Sequence, residues 1–436
     1  MSKGNYSAVD FKGWFSRQEW ERFVDDDELV LGIDAAKYAF YAAVMGARSN
    51  AADVLYFERD DIRSFVDMVK ELPFEKITLV MEPSGTYVDA LLELAWEADL
   101  RVIRISGSTV NAAQAVFDDT RSLHDGKAAT VLGHLYLTGR VGKPWVRRTE
   151  SRRDIRALVD LDELIRKGEQ IYVGPLEAFL ARHWPELTNF LELKSMTLLE
   201  LIARFGSPQE VAENKKQARQ LMKKAGGHFL SHEKIEAVLE SAQTTIGVET
   251  TRAQRDQLKY IAGMLRESHK RSKKIRKQLK EIAEEREETQ ALVDFAGHRM
   301  ALILVAYLGD LRNYESVGHL EKAQGLNLRE YSTGKTKKDK QTETPRLAIS
   351  KNGPPEVRKA LYWLAIRMIN PTLKTYCPIA DAWYRERRRR NGDLAIPALV
   401  ALMRKLSRAL WHVAHGRAYD KAQLFNVVQL RRHGHL

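Results

Sequence analysis

Cysteine is almost missing from this chain of 436 residues, which contains a single one, Cys377. One thiol cannot form an intramolecular disulfide or a cysteine-based zinc site, so both are excluded. No apolar run approaches the roughly 18 residues of a membrane-spanning helix, and the N-terminus lacks the apolar segment of a signal peptide. We therefore expect a soluble, cytoplasmic protein that has no membrane partner.

Acidic residues are too few to balance the basic ones. Lysine and arginine total 70 against 58 acids, which gives a formal net charge of +12. A basic chain suggests a polyanionic partner such as nucleic acid, although many mildly basic proteins bind none. The length and the hydrophobic content of 44% indicate a folded protein of two or three domains.

The first part of the chain alternates between strand and helix patterns. Apolar runs predict two strands within 29–46 and further strands at 76–83 and 101–106, and helical periodicity appears near 60–72 and at 87–100. This alternation predicts a mixed α/β domain with helices packed on a sheet.

The middle of the chain has only helical patterns. Pro175 predicts a break or a kink in the first helix, and a further helix is predicted over 207–226. Apolar residues follow a seven-residue repeat within 252–290, which indicates either a coiled-coil arm that pairs subunits or a solvated surface helix. We favour the arm. A helical domain with a basic loop at 334–346 follows.

Three acids occupy positions that suit a metal site. Asp34 and Glu82 each follow a predicted buried strand, and Asp125 lies where a loop leads into a helix. Carboxylates brought together by one sheet repel each other unless a divalent cation shares their charge, and oxygen ligands suit Mg²⁺. Acids at strand ends also serve as caps and turn formers, so spacing alone does not decide.

The C-terminal half carries hydroxyl and cationic candidates. Ser332 and Thr333 precede Gly334 and several lysines, as a hydroxyl nucleophile for a phosphate group requires, but an ordinary surface turn has the same residues. Trp363, Trp383 and Tyr384 could stack on bases, although aromatics at helical spacing usually belong to a core. The basic side chains that we expect to contact phosphates are Lys335, Lys337, Lys338, Lys351, Arg358, Lys359, Arg385, Arg387, Arg388, Arg389 and Arg390.

Six segments in this order resemble one family. They are LGIDAAK, MEPSGTY, HDGKAATVLGHL, GLNLREYSTGK, ISKNGPPEVRKALYWLA and ALVALMRKLSRALWHVAHGRAYD, and they span residues 29 to 425. The chain resembles the DEDD-type transposases of bacterial insertion sequences, which are bridge-RNA-guided serine recombinases related to the Piv DNA invertase.

The resemblance implies both architecture and activity. It implies a RuvC-like, RNase H-type domain, a coiled-coil connection and a C-terminal transposase domain with a catalytic serine. Mg²⁺ would be held by acids, here Asp34, Glu82 and Asp125. The serine would attack DNA to give a phosphoserine linkage and a free 3′-hydroxyl. Implied partners are double-stranded donor and target DNA, a non-coding guide RNA and further copies of the chain in a homodimer or homotetramer, at a bacterial, nucleoid-associated location.

The expected domain boundaries follow from these patterns and the resemblance. They are an N-terminal extension at 1–28, the RuvC-like catalytic domain at 29–148, a helical linker at 149–290 with the coiled coil at 252–290, and the transposase domain at 291–436.

The chain departs from the family pattern at three places. The fourth acid falls on Ala128, so either this ligand is lost, a nearby acid such as Asp118 or Asp119 replaces it, or the sequence was altered. The position before Gly334 is threonine, so register favours Thr333 as nucleophile and chemistry favours Ser332. The segment FAGHRMA replaces a Pro-Gly-Ile-Gly turn. These departures leave two alternatives open: a catalytically impaired RNA/DNA-binding relative and, less favoured, a RuvC-like junction nuclease.

Overall fold

The chain divides into two compact units, Met1–Arg148 and Thr149–Leu436. A computed structural model describes residues 6–48, 52–83, 85–114, 116–117, 124–139, 142–331, 346–390, 392, 394–432 and 434. In the first unit the strands are β1 (Ala8–Asp10), β2 (Leu29–Ala35), β3 (Ala39–Gly46), β4 (Ala52–Glu58), β5 (Ile77–Met81), β6 (Arg101–Arg104) and β7 (Lys143–Pro144). Its helices are α1 (Phe11–Ser16), α2 (Ile62–Glu71), α3 (Asp89–Glu97), α4 (Gly107–Gln114) and α5 (Asp125–Leu137).

The seven strands form one sheet in the order β1-β4-β3-β2-β5-β6-β7. Strand β3 runs antiparallel to both β2 and β4, whereas β5 runs parallel to β2 and β6 runs parallel to β5. The predicted mixed α/β domain is therefore confirmed, as are the strand pair within 29–46 and the helices near 60–72 and 87–100.

The residues of the expected N-terminal extension at 1–28 contribute to the sheet and the core of the first unit. Strand β1 pairs in parallel with β4. The sequence analysis predicted neither of these two strands. Phe11, Trp14 and Phe23 are fully or almost fully buried in the core of the first unit. Charged and polar residues separate these three aromatics, so no continuous apolar run marks them in the sequence.

Helix α5 lies directly on the backbone of β2 because both elements have glycine at their contact. A Cβ on Gly32 would lie 2.1 Å from the carbonyl oxygen of Ala129 and 2.5 Å from the amide nitrogen of Gly133. A Cβ on Gly133 would in turn lie 2.7 Å from the sulfur of Met45 on β3. Only residues without a side chain allow this close approach of helix and sheet.

The second unit is helical. Its helices are α6 (Glu150–His183), α7 (Leu187–Phe190), α8 (Met196–Phe205), α9 (Pro208–Glu213), α10 (Lys215–Gly226), α11 (His232–Thr244), α12 (Arg252–Glu285), α13 (Glu287–Ala296), α14 (His298–Leu308), α15 (Val317–Ala323), α16 (Pro355–Ile369), α17 (Pro378–Arg390), α18 (Ala395–Ala414), α19 (Lys421–Phe425) and α20 (Val427–Arg432). A two-stranded antiparallel hairpin of β8 (Leu328–Tyr331) and β9 (Arg346–Ile349) interrupts them.

Two helix predictions need adjustment. Pro175 lies inside α6, which continues past it, so the expected break is absent. The helix predicted over 207–226 is divided at Asn214 into α9 and α10. Its start is as predicted, because the Ser207 hydroxyl accepts a hydrogen bond from the amide of Glu210 at 3.2 Å. Among the described residues, no helix is long and apolar enough to cross a bilayer.

The seven-residue repeat of α12 is buried within its own chain. Leu258 and Leu265, near the start of α12, share a core with Leu176 near the end of α6. Ile275, near the end of α12, shares another core with Ile155 at the start of α6. The two helices of 34 residues therefore pack antiparallel against each other. Pairing of subunits stays a prediction. Because the apolar face of α12 is already covered by helices of its own chain, subunits would have to pair through another surface.

Helices from both sides of residue 290 share one core. Ile155 and Ile275 belong to the same buried cluster as Leu302, Leu361 and Leu406. The linker and the transposase domain expected at 149–290 and 291–436 are thus joined by common packing.

The contact of Gly32 with α5 predicts a large loss of stability for Gly32→Ala. The new methyl group would overlap helix backbone, which cannot rotate away, so we expect the free energy of unfolding to fall by about 3 kcal/mol or more. Gly13→Ala in α1 is the matched control, because its Cβ would meet only the far end of Arg17 at 3.8 Å. We expect the control to be neutral or stabilising by up to about 1 kcal/mol. Denaturant unfolding of both variants measures this, and equal stability of Gly32→Ala and the parent would contradict the account.

Candidate functional site

The acidic residues lie at the carboxyl ends of two neighbouring parallel strands. In the register of β2 and β5, Ile33 pairs with Met81, so Asp34 and Glu82 follow at equivalent positions. Side chains alternate along a strand, which places Asp34 on the same face as Gly32. Val80, two residues before Glu82, packs with residues of α5. Both carboxylates therefore lie on the face of the sheet that α5 covers.

Asp125 is the first residue of α5, and the start of that helix is fixed by several contacts. The imidazole Nδ1 of His124 accepts a hydrogen bond from the amide of Lys127 at 3.2 Å and so caps the helix. The His124 ring packs edge-on against Tyr6 with ring centroids 5.1 Å apart. A Cβ on Gly126 would lie 2.9 Å from the carbonyl oxygen of Tyr6. These contacts and the Gly32 contact together set the position of Asp125.

The three carboxylates are close enough to affect one another electrostatically. Burial and, after it, the negative charges of Asp125 and Glu82 together raise the pKa of Asp34 to about 6. Ionising all three groups therefore costs free energy unless a cation is added.

Asp34, Glu82 and Asp125 have the ligand chemistry of a site for a hard divalent cation, but their side chains are not spaced to hold one as they stand. The side chains supply carboxylate oxygens, which are the ligands of Mg²⁺. Within the described ranges, no three His, Cys, Asp or Glu side chains are grouped closely enough to hold a metal ion as they stand. The Glu82 carboxylate lies against Gly107 at the start of α4, where a Cβ would be 3.0 Å from its Oε2.

The position of the missing fourth acid is buried. Ala128 is one helical turn after Asp125 and is 8% exposed. Residues three apart in a helix share a face, so a carboxylate at 128 would stand beside that of Asp125. Asp118 and Asp119, the substitutes considered from the sequence, lie outside the described residues.

The hydroxyl candidates Ser332 and Thr333 also lie outside the described residues, as do Lys335, Lys337 and Lys338. The structure describes the hairpin on either side of them, in which Tyr331 pairs with Arg346. Sequence analysis did not predict this hairpin, because its strands have only four residues each.

Two of the predicted phosphate-binding cations are already used by the protein itself. The Arg358 guanidinium donates to the backbone carbonyls of Gln324 and Gly353, and burial lowers its pKa. The Lys359 ammonium pairs with Glu163. Both side chains therefore hold helices and loops in place, whereas Lys351 is exposed at a backbone φ of 58°.

Two arginines of α17 pair with acids of the same helix. Arg385 binds Asp381 four residues earlier with N···O distances of 3.1 and 2.8 Å, and Arg390 pairs with Glu386. Arg387, Arg388 and Arg389 are exposed. Of the aromatics, Trp383 is half-buried against Phe425, with ring centroids 6.0 Å apart, so its faces are not both free for bases.

Sequence reasoning missed three basic residues that face α17 from α18. Arg404, Lys405 and Arg408 line one cavity together with Arg387. Their spacing of three and four residues, on a helix whose other face is apolar, was the signal that could have found them.

The raised pKa of Asp34 predicts that Asp34→Asn stabilises the first unit at high pH in the absence of divalent cations. Since the folded state holds the proton more tightly than the unfolded state, the stability of the parent falls as pH rises from about 4 through about 6. The asparagine variant escapes that loss, so it should be more stable by about 1 to 3 kcal/mol at pH 8 and nearly equal at pH 4.

Denaturant unfolding in EDTA at both pH values measures this difference. Asp67→Asn, at an exposed position of α2, is the control and should show no such pH dependence. An Asp34→Asn variant that is less stable than the parent at pH 8 would show that the three carboxylates do not repel each other.

Comparison with known proteins gives one family match. Residues 296–378 match the model of the transposase IS116/IS110/IS902 family, and no curated protein matches the chain. The matched segment runs from the end of α13 to the first residue of α17 and contains the hairpin together with Ser332 and Thr333. This similarity supports an insertion-sequence transposase, an enzyme that recombines DNA.

Proposed function

We propose that this protein is a transposase that cuts and rejoins DNA strands through the hydroxyl group of Ser332 or Thr333. The observation that carries the proposal is the transposase match over 296–378, because it includes both hydroxyl residues. The three carboxylates at one edge of the sheet in the first unit support a second, Mg²⁺-binding part of the machinery.

The sheet supports a RuvC-like, RNase H-type domain. Three antiparallel strands, β4, β3 and β2, are extended on one side by the parallel strands β5 and β6. In such sheets, ligands bind at the carboxyl ends of the strands, where Asp34 and Glu82 lie. We propose that Asp34, Glu82 and Asp125 hold Mg²⁺, which when bound would neutralise charge on a phosphodiester.

The hydroxyl pair would perform the covalent step. The oxygen of Ser332 or Thr333 attacks the phosphorus atom, the bond from phosphorus to the 3′-oxygen breaks, and a phosphoester to the protein forms. The hydroxyl proton passes to a base and the departing 3′-oxygen takes up a proton. Because one phosphoester replaces another, a 3′-hydroxyl of a second strand can reverse the step and join the new strands.

The partners follow from the same proposal. The formal net charge of +12 favours DNA and RNA as ligands. We propose that a structured guide RNA selects both DNA partners and that the active form is a homodimer or homotetramer. Since α6 and α8 cover the apolar face of α12, subunits would pair through other surfaces.

A specific observation favours one alternative. Ala128 leaves the fourth acidic position apolar and buried, which favours a relative that binds RNA and DNA but cleaves poorly. A RuvC-like junction nuclease that uses water as nucleophile ranks lower, because it leaves the transposase segment at 296–378 without a role.

The covalent step predicts a protein–DNA adduct that depends on Ser332 or Thr333. Incubation of the chain and its copurified RNA with element-end DNA and Mg²⁺ should give a band that is stable to denaturant and contains a 5′-phosphate linked to protein. Alanine at both positions should abolish it, and the single variants identify the nucleophile. An adduct that persists in the double variant rules out this assignment, and Mg²⁺-dependent cleavage of branched DNA without any adduct would support the junction nuclease.

We expect that restoring the fourth acid, at position 128, increases Mg²⁺ binding and cleavage. Ala128→Asp places a carboxylate one turn from Asp125, so we expect tighter Mg²⁺ binding and faster strand cleavage at limiting Mg²⁺. Ala128→Asn is the matched control, since it has similar volume without the charge. A parent that does not cleave and an aspartate variant that does would establish the impaired alternative. An active parent whose rate the aspartate does not change would show that position 128 plays no part in metal binding.

A further inference from the structure

A cavity between α17 and α18 collects positive charge. Its lining consists of Glu321, Trp383, Arg387, Ala401, Arg404, Lys405 and Arg408. Ala401, Arg404, Lys405 and Arg408 recur at intervals of three and four residues, so they form one face of α18. Arg387 approaches the cavity from α17. The small side chain of Ala401 leaves room between these cations.

The acids near this cavity do not balance its cations. Glu321, the one acid in the lining, is bound by Arg404 through two nitrogens at 3.1 and 2.7 Å from its Oε2. Nearby Glu386 pairs with Arg390, and Asp381 pairs with Arg385. Arg387, Lys405 and Arg408 therefore remain as a surplus of three positive charges around one cavity.

Two of these cations have no protein partner among the described residues. Neither Arg387 nor Arg408 makes a hydrogen bond or ion pair with a described side chain or carbonyl, and both are exposed. The Lys405 ammonium donates to the carbonyl oxygen of Leu424 at 2.6 Å and lies 5.1 Å from the centre of the Trp383 ring. Burial lowers the pKa of Lys405, and the charges of Arg408 and Arg387 lower it further. An anion in the cavity would relieve this crowding.

A second, smaller cavity adjoins the first. It shares Trp383 and Arg387 with the first cavity and is also lined by Glu386, Arg390, Phe425, Gln429 and Leu430. Arg390 is paired with Glu386, so Arg387 is the cation that the two cavities have in common. A row of cations along an open groove suits a repeating anion better than a single small one.

We propose that this groove, formed by Arg387, Arg404, Lys405 and Arg408, binds the phosphodiester backbone of a nucleic acid. Guanidinium groups bind phosphate oxygens in pairs without reading the bases, so the groove would position the strand and not select its sequence. The inference rests on the proposed function only in that the transposase must bind nucleic acid. DNA and guide RNA carry the same phosphodiester group, and the experiment distinguishes them.

The test compares Arg387→Gln/Arg408→Gln with the parent. Fluorescence anisotropy with labelled duplex DNA and, separately, single-stranded RNA of about 30 nucleotides each should be followed between about 50 and 200 mM salt. We expect the affinity for one of the two to fall by about tenfold. The slope of log K against log salt should shrink by about 1.8 for duplex DNA or about 1.4 for single-stranded RNA, because each of the two lost phosphate contacts removes about 0.9 or about 0.7. Whichever nucleic acid shows the loss is the one that occupies the groove.

Two matched variants keep the result specific. Arg182→Gln/Arg204→Gln removes two exposed arginines whose side chains have no described partner and which lie on α6 and α8, and it should leave affinity and slope unchanged. Arg387→Lys/Arg408→Lys keeps the charge and should retain most of the slope. The substituted side chains are exposed and unpaired, so circular dichroism and thermal unfolding should match the parent.

The other outcomes separate the two proposals. If the parent binds nucleic acid and Arg387→Gln/Arg408→Gln binds with the same affinity and slope, the groove is not a phosphate site. An equal loss in the Arg182/Arg204 variant would mean that general charge, and not this groove, controls binding. A parent that binds neither DNA nor RNA would overturn the proposed function itself.

Discussion

The backbone contact between Gly32 and helix α5 is the constraint on which the acidic site depends. Because a Cβ at residue 32 would lie 2.1 Å from the Ala129 carbonyl oxygen, glycine alone lets α5 rest on β2. Asp34 follows Gly32 on the same face of the strand, and Asp125 begins the helix. One close approach therefore brings together residues that are 91 positions apart in the sequence.

The close packing of α5 on β2 also affects the charge state of the acidic site. Parallel pairing of β2 with β5 adds Glu82, and burial beneath α5 makes the ionised form of Asp34 costly. Because the negative charges of this site repel each other in the folded state, binding of a divalent cation would stabilise the site. Ala128, one helical turn after Asp125, adds no charge to this set.

The sequence predicted this site better than it predicted the groove on α17 and α18. Runs such as Leu29–Ile33 predict buried strands, and acids directly after two neighbouring strands meet at one sheet edge when the strands are parallel, as β2 and β5 are. Sequence analysis missed strand β1 and the buried aromatic residues near the N-terminus, because polar residues between them leave no continuous apolar run. The partners Gln324 of Arg358 and Glu163 of Lys359 lie far away in the sequence and are met only through tertiary packing, so a count of cations could not tell structural side chains from free ones.

The claim that Asp34, Glu82 and Asp125 form one cation site is tested most directly by calorimetric titration of Mg²⁺ into the protein at pH 8. We expect saturable binding in the parent, because a cation relieves the repulsion among the three carboxylates, and loss of that binding in Glu82→Gln. Glu93→Gln, on the outer helix α3, should bind as the parent does. Absence of saturable binding in the parent, or undiminished binding in Glu82→Gln, would contradict the account.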